Sequence, residues 1–490
     1  MNKQNHPNIV FIMADDMGYG DVGCYNPDSK IPTPNMDQLA QEGIRCTDAH
    51  SPSAVCTPTR YGVLTGRYCW RSRLKRGVLY GYEPPLIEPD RLTVANLLRD
   101  VGYNTACVGK WHLGLGFSTK AGYDFDFNAP LPWSNAGREL EENIDFSAPL
   151  TGGPIDLGFD YFYGNSGCPT CQPPYGFIED DRFVKIPNHY HEVPEFTSRP
   201  GMMTADWEHK DADPIIAAKA VEYIEKHTES EDPFFLYLSP SAPHEPCTEE
   251  VVPEFARGQS DAGPRGDLVW LVDWMVGEVM KALDRTNKTE NTLIFVTSDN
   301  GALPGDRIQG DNSPMPYHLY NHKSCGDWRG YKAHIWEGGH REPLIARWPG
   351  VIRANTETDA LICLTDLMAT CAAIVGTDVP NDAGQDSCNI LPNLLGEQPE
   401  ESIRQAIVHH SSNGVFSIRH NAWKMILETQ GSGGWPPPRG EGPKPGTSGQ
   451  LYHIFDDPGE TDNLWEKHPS VVKELTSLLR KFEQQGHSRL

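Results

Sequence analysis

The sequence predicts an α/β fold: a large mixed, mainly parallel sheet sandwiched by helices, followed by a smaller C-terminal α+β domain. Three observations carry this. Four short runs, NIVFIMA (8–14), TACVG (105–109), FFLYLS (234–239) and TLIFVTS (292–298), are near-continuously apolar, as strands covered on both faces should be. Stretches with apolar residues at three- and four-residue spacing lie among them. Beyond about Gly376 the pattern changes to short strand-like segments.

Taken in order, the first strand is followed by a helix over MDQLAQEGI (36–44). A second helix, LTVANLLRDVG (92–102), precedes the second strand. Residues 116–212 are rich in Gly, Pro, Asp and aromatics, and read as a surface insertion that builds a binding cleft. The helix PIIAAKAVEYIEKH (214–227) leads into the third strand, and LVWLVDWMVGEVMKALDR (268–285) into the fourth. A second insertion spans 301–332. Strand–helix alternation of this kind favours parallel pairing through crossover helices. AIVHH (406–410), GVFSIRH (414–420) and AWKMILE (422–428) read as antiparallel strands. They are followed by a Gly/Pro-rich loop over 430–449 and an amphipathic helix, VVKELTSLLRKFEQQ (471–485). The expected domains are 1–379 and 380–490, with no internal repeat.

Charge narrows the partners. At −25 the chain repels nucleic acid and anionic membrane over most of its surface. No apolar run approaches the ~18–20 residues of a membrane span. The apolar run at 9–14 is too short for a secretory signal, so the expectation is a cytoplasmic chain or one whose leader is missing. Yet residues 51–82 contain no Asp or Glu and six bases: Arg60, Arg67, Arg71, Arg73, Lys75 and Arg76. This segment is either a solvated helix face or an attractor for an anionic substrate. Twelve cysteines are too few and scattered for a disulfide scaffold. Cys168 and Cys171 form a lone CxxC, read as a disulfide or two loop thiols. A zinc site would call for a second pair or a histidine pattern.

The chemistry sits just beyond the strands. The four runs lead into Asp15-Asp16, Lys110-Trp111-His112, Pro243-His244 and Asp299-Asn300. In open α/β sheets the site lies beyond the carboxyl ends of the strands, so these segments can converge. Three carboxylates together stay ionised only around positive charge, and an all-oxygen set favours Ca²⁺ or Mg²⁺ over zinc. Each piece has a plainer reading: an Asp at a strand end also caps helices, and Asp-Asn-Gly is common in turns. Cys56 opens a predicted helix whose first turn holds Pro58. It is either a buried thiol or a nucleophile at a helix N-terminus, where anions are favoured. A thiolate is a poor match in softness for a hard cation.

Cys56-Thr57-Pro58-Thr59-Arg60 followed by Leu64-Thr65-Gly66-Arg67 resembles the C-x-P-x-R…T-G-R signature of the type I sulfatases. The likeness extends through Gly109-Lys110-Trp111-His112-Leu113-Gly114, Phe159 to Gly164, Pro243-His244, Thr297 to Gly301, Arg329 to Lys332, Glu337-Gly338-Gly339, Arg347 to Gly350 and Asp457 to Leu464. That resemblance implies an alkaline-phosphatase-like fold and hydrolysis of sulfate esters. It implies that Cys56 is oxidised by a maturation enzyme to Cα-formylglycine, whose hydrated aldehyde is a hard oxygen nucleophile. It assigns one Ca²⁺ to Asp15, Asp16, Asp299, Asn300 and the modified Cys56, with Asp299 as acceptor of the nucleophile's proton. Arg60, Lys110 and Lys332 supply positive charge around the sulfate, His244 or Lys332 protonates the leaving group, and His112 is the base that releases sulfate.

Substrate contacts are expected from Asn165 or Ser166, His340, Arg71 and Arg73. The acid-free segment and long insertions favour an extended anionic substrate, a sulfated polysaccharide or oligosaccharide of galactosamine or galactose such as a chondroitin- or carrageenan-type chain. A broad aryl sulfatase and a phosphate or phosphonate ester hydrolase of the same superfamily are the alternatives. A non-catalytic binding protein would show a broken constellation, and every expected residue is present.

Overall fold

The computed structural model describes residues 6–122, 135–192, 199–303, 320–397, 402–428, 431–435 and 448–489. Its largest sheet has ten strands, in the order Thr356–Thr358, Ile44–Cys46, Leu344–Arg347, Thr292–Ser298, Asn8–Ala14, Phe234–Ser239, Asn104–Lys110, Tyr161–Asn165, Ile178–Glu179 and Arg182–Phe183. The four apolar runs occupy four adjacent central places. Every residue of Asn8–Ala14, Phe234–Ser239 and Thr292–Ser298 is buried, which is why those runs show no alternation of polar and apolar residues. From Asn8–Ala14 through Phe234–Ser239 and Asn104–Lys110 to Tyr161–Asn165 the pairing is parallel. Antiparallel pairs lie toward the edges, at Tyr163↔Glu179 and Leu344↔Cys46. The sheet is therefore mixed and mainly parallel.

The chain divides into two compact units. The first contains the described residues up to Asp15 and from Leu79 to Phe295. Its parallel register places Lys110 opposite Asn165 and Gly109 opposite Ser239, so functional groups line up at the carboxyl edge. Gly109 has φ 117, and a Cβ there would collide with the Ser239 carbonyl. Helices Ala212–Lys226 and Gly263–Arg285 belong to this unit. The predicted insertion over 116–212 holds helix Asn135–Asn143 and strands of two to five residues, most of them too short to leave a periodic signal.

The second unit contains Asp16–Val78 and the described residues from Val296 onward. Helix Cys56–Thr65 starts after extended Val55, carries Pro58 in its first turn, and stops at Gly66, whose N–H reaches the Gly62 carbonyl at 2.9 Å. The expected 36–44 helix ends two residues early, at Glu42. Ile44 instead pairs with Ala346 in the sheet, an approach that Gly43 permits, since a Cβ there would collide with the Ala346 carbonyl. The C-terminal strands form a four-stranded antiparallel sheet: Ile407–His410, Phe416–His420, Trp423–Ile426 and Gln450–His453. Val408, Ile418, Met425 and Leu451 stand in register across it and are fully buried. Leu475, Leu478, Leu479 and Phe482 of helix Pro469–Gln485 share their cluster, at the spacing that makes one helix face. Each such burial contributes roughly 1.5–3 kcal/mol. Residues 304–319 of the second predicted insertion, and 436–447 of the Gly/Pro-rich loop, lie outside the described residues. Among the described residues no helix is long and apolar enough to cross a membrane.

Candidate active site

The two units each carry a set of buried polar groups. In the first, strand Asn8–Ala14 delivers Asp15, whose N–H donates to the Ala242 carbonyl at 3.2 Å. Its carboxylate accepts from Lys110 Nζ, and both side chains are fully buried. Beyond Lys110 the chain is pinned residue by residue: Trp111 N–H donates to the Asn165 carbonyl and His112 N–H to the Ser166 carbonyl, each at 3.0 Å. His112 has φ 57, a left-handed conformation uncommon outside glycine and frequent at working sites. Its Nε2 lies 2.8 Å from the Leu79 carbonyl. A carbonyl only accepts, so Nε2 carries the proton and Nδ1 is the basic nitrogen.

His244 is set by the loop before it. The Asp213 carboxylate accepts from Ser241 N–H at 2.8 Å and Ala242 N–H at 2.9 Å, and His244 N–H donates to the Ser241 carbonyl at 2.9 Å. Burial pushes the Asp213 carboxyl up to about 6 despite these hydrogen bonds. His244 Nδ1 lies 2.9 Å from the Glu245 carbonyl, 3.2 Å from Cys168 Sγ and 3.8 Å from Cys171 Sγ. Asn165 donates through Nδ2 to the Gly176 carbonyl at 3.0 Å. Its Oδ1, and Ser166 Oγ, are buried without a hydrogen-bond partner among the described residues. Buried groups of this kind are costly unless a bound molecule completes them.

In the second unit, Asp16 also sits at positive φ, 71°. Its N–H donates to Asp299 Oδ1 at 3.3 Å. Its carboxylate accepts from Asn300 Nδ2 at 2.6 Å and Lys332 Nζ at 2.7 Å. Asp299 accepts from Arg60 Nη2 at 2.6 Å. Arg60 stands four residues after Cys56, one helical turn along the same face. Cys56 is the first residue of its helix and is 1% exposed. The N-terminal dipole at that point favours negative charge. Ala333, next to Lys332, is a third non-glycine residue at positive φ, and its N–H donates to the Ala54 carbonyl at 2.7 Å. At Gly301 a Cβ would collide with the Gly338 carbonyl, so the turn after Asn300 admits only glycine.

The donor set suits a hard divalent cation. Asp16, Asp299 and Asn300 offer only oxygen, all are buried, and Asn300 Oδ1 lacks a hydrogen-bond partner among the described residues. Glu342 was not anticipated from the sequence. Burial and the nearby Asp299, Asp16 and Asp21 hold its carboxyl well above the usual range, and Ser51 Oγ donates to it at 3.3 Å. The other expected substrate contacts separate. Arg73 is exposed. Arg71 is instead committed to Asp386, through hydrogen bonds of 2.8 and 2.9 Å, and to the Phe482 carbonyl at 2.9 Å. His340 is fully buried, 3.1 Å from both His50 Nδ1 and Lys424 Nζ, and stacked on His409. Burial and the Lys424 charge hold His340 well below its usual pKa. Both residues knit the interior, because each is already paired by groups of its own unit.

Comparison with known proteins follows from this geometry. A family model described as Sulfatase matches residues 7–377. An N-acetylgalactosamine-6-O-sulfatase of Bacteroides thetaiotaomicron is 34% identical, over 98% of this chain and 94% of the relative. Arylsulfatase A of Homo sapiens is 32% identical, over 97% and 87%. A solved 6S-sulf structure, described with the metabolism of multiple glycosaminoglycans by Bacteroides thetaiotaomicron, superposes with a TM-score of 0.82 at 30% identity, covering 98% of this chain and all of that one. The chain therefore belongs to the sulfatase family and is a sulfuric ester hydrolase.

Proposed function

We propose that the enzyme removes sulfate from a sulfated glycan, with galactosamine 6-O-sulfate as its first substrate. The observation that carries this reading is the 34% identity, across nearly the full length of both chains, to an N-acetylgalactosamine-6-O-sulfatase. The acid-free segment 51–82 supports an anionic substrate. Arylsulfatase A, 32% identical, supports the alternative of a broad aryl sulfatase. The match ending at residue 377 supports a functional boundary near 379, with 380–490 as a second domain.

Asp15, Asp16, Asp299, Asn300 and the residue at 56 would hold one Ca²⁺. When present, that ion and a formylglycine at position 56 supply Lewis acidity and an oxygen nucleophile of lowered pKa. The remaining work belongs to the chain's own side chains. Arg60, Lys110 and Lys332 are buried donors that neutralise the charge of the transferring sulfate without reorganising. Asp299 accepts the nucleophile's proton. His244 Nε2 donates a proton to the departing sugar oxygen, because an alkoxide leaves poorly unaided at pH 7. Its Nδ1 faces the Glu245 carbonyl, which orients the ring for that role. His112 Nδ1 takes up the proton whose removal frees sulfate. Asn165 Oδ1 and Ser166 Oγ, buried without a hydrogen-bond partner among the described residues, are the atoms assigned to contact the substrate.

Sulfate release from N-acetylgalactosamine-6-sulfate, N-acetylgalactosamine-4-sulfate, an aryl sulfate and an aryl phosphate tests the reading. The 6-sulfate should be turned over with kcat/KM at least about tenfold above the 4-sulfate. Preference for the aryl sulfate would favour the broad reading. Preference for the phosphate would overturn the assignment.

A further inference from the structure

The CxxC of the first unit has no role in the proposed hydrolysis, yet it stands against the side chain proposed as proton donor. Cys168 and Cys171 are both fully buried and not bridged. The Cys171 and Gln172 N–H groups both turn back to the Cys168 carbonyl, at 3.3 and 2.9 Å, which brings the two thiols to one side of the loop. The Sγ atoms and His244 Nδ1 lie within 4.8 Å of one another, with sulfur-to-nitrogen distances of 3.2 and 3.8 Å. A tetrahedral zinc ion, with bonds of about 2.3 Å to sulfur and 2.0–2.1 Å to nitrogen, needs S···N edges of about 3.6 Å and an S···S edge of about 3.8 Å. The three atoms already stand close to that arrangement.

We infer that Cys168, Cys171 and His244 form a thiol–imidazole site for one Zn²⁺ ion, distinct in chemistry from the oxygen-lined calcium set, and that filling it inhibits the enzyme. Soft sulfur donors select a borderline-soft d¹⁰ ion and reject calcium, so the two sites do not compete for one metal. The thiols are prepared for ligation. Burial opposes charge on Cys168, but the hydrogen bond from Cys171 and the positive charge of His244 and Lys110 hold it well below the usual thiol range. Its hydrogen bond to Cys168, and burial, push Cys171 up, so that thiol keeps its proton. Binding therefore releases two protons to solvent, one from Cys171 and one from His244 Nδ1, and ends the Nδ1 hydrogen bond to the Glu245 carbonyl. The fourth position is left for water or a small anion. Of the three residues, only His244 keeps any exposed surface, 7%.

The inhibitory half rests on the reading of His244 as proton donor. A ring ligated at Nδ1 holds its Nε2 proton far more tightly than an imidazolium does. It can therefore no longer protonate a leaving sugar oxygen.

The test uses the full-length enzyme in excess calcium, with Co²⁺ as spectroscopic probe and Zn²⁺ as competitor. One equivalent of Co²⁺ should produce near-ultraviolet sulfur-to-cobalt charge-transfer bands that Zn²⁺ abolishes. The Cys168→Ser/Cys171→Ser double variant should lack those bands. Absence of bands in the parent enzyme, or bands unchanged in the double variant, overturns the site. Should the double variant not fold, alkylation of the parent decides the matter. Over an exposure long enough for local opening to label both thiols in the zinc-free enzyme, Zn²⁺ must slow iodoacetamide labelling of Cys168 and Cys171, and an unchanged rate overturns the site. Saturating Zn²⁺ should lower sulfatase turnover at least tenfold in the parent. Binding with undiminished turnover would uphold the site and overturn His244 as proton donor.

Discussion

At the residue scale, the chemistry depends on which nitrogen or oxygen of each buried group is committed to the scaffold. His112 Nε2 donates to the Leu79 carbonyl, which makes Nδ1 the basic nitrogen of the ring. His244 has its Nδ1 beside the Glu245 carbonyl. Replacing His244 by Asn should lower kcat on a sugar sulfate by roughly 10²–10⁴-fold. An aryl sulfate, whose phenolate leaves without help, should be affected much less. Paired steady-state kinetics on the two substrates checks this, and equal losses would mean that His244 acts otherwise. Cys56→Ala should abolish turnover on both substrates while leaving the melting temperature within a few degrees, because the deleted thiol is small. A peptide mass spectrum at position 56, showing the deficit of cysteine-to-formylglycine conversion in active enzyme and an intact thiol in inactive enzyme, ties activity to the modification.

At the element scale, strand ends and the loops behind them hold these groups in place. Gly109→Ala should destabilise the fold by about 2–4 kcal/mol, since its Cβ would be driven into the Ser239 carbonyl on the adjacent strand. A lowered denaturant midpoint at unchanged slope is the expected readout. Asp213 makes a pH-dependent contribution through the His244 loop. Its folded pKa, about 6, lies above the unfolded 3.8. Its stabilising contribution is therefore present in full below about 3.8, and is lost as pH rises through about 6. The parent enzyme should lose about 3 kcal/mol across that window that Asp213→Asn does not, seen as a flatter pH dependence of stability in the variant. The central strands were legible because burial on both faces makes their residues uniformly apolar. The pairs Ile178–Glu179 and Arg182–Phe183 were not, since two residues carry no period. Ile44–Cys46 was hidden too, because its partner Leu344–Arg347 lies some 300 residues away.

At the scale of the whole molecule, the ends of Asn8–Ala14, Phe234–Ser239 and Asn104–Lys110 were legible because adjacent parallel strands finish side by side. The pairing of each lysine with its own aspartate was not, since Lys110 with Asp15 and Lys332 with Asp16 follow from folded geometry. Nor could spacing reveal that Cys168 meets His244 across 76 residues, although the CxxC was visible. The buried acids imply linkage between metal and stability. Stripping the enzyme with a chelator should lower its melting temperature and abolish turnover. Restoring Ca²⁺ to about 100 times its dissociation constant should return about 2.7 kcal/mol of stability, measured by denaturant titration. An unchanged melting curve would remove the metal from the account. The most direct test of the central claim is sulfate release from N-acetylgalactosamine-6-sulfate by matured enzyme, measured beside Cys56→Ala. The account predicts stoichiometric sulfate from the parent and none above background from the variant. Equal release from both, or release from neither this nor any other sulfate ester, would contradict it.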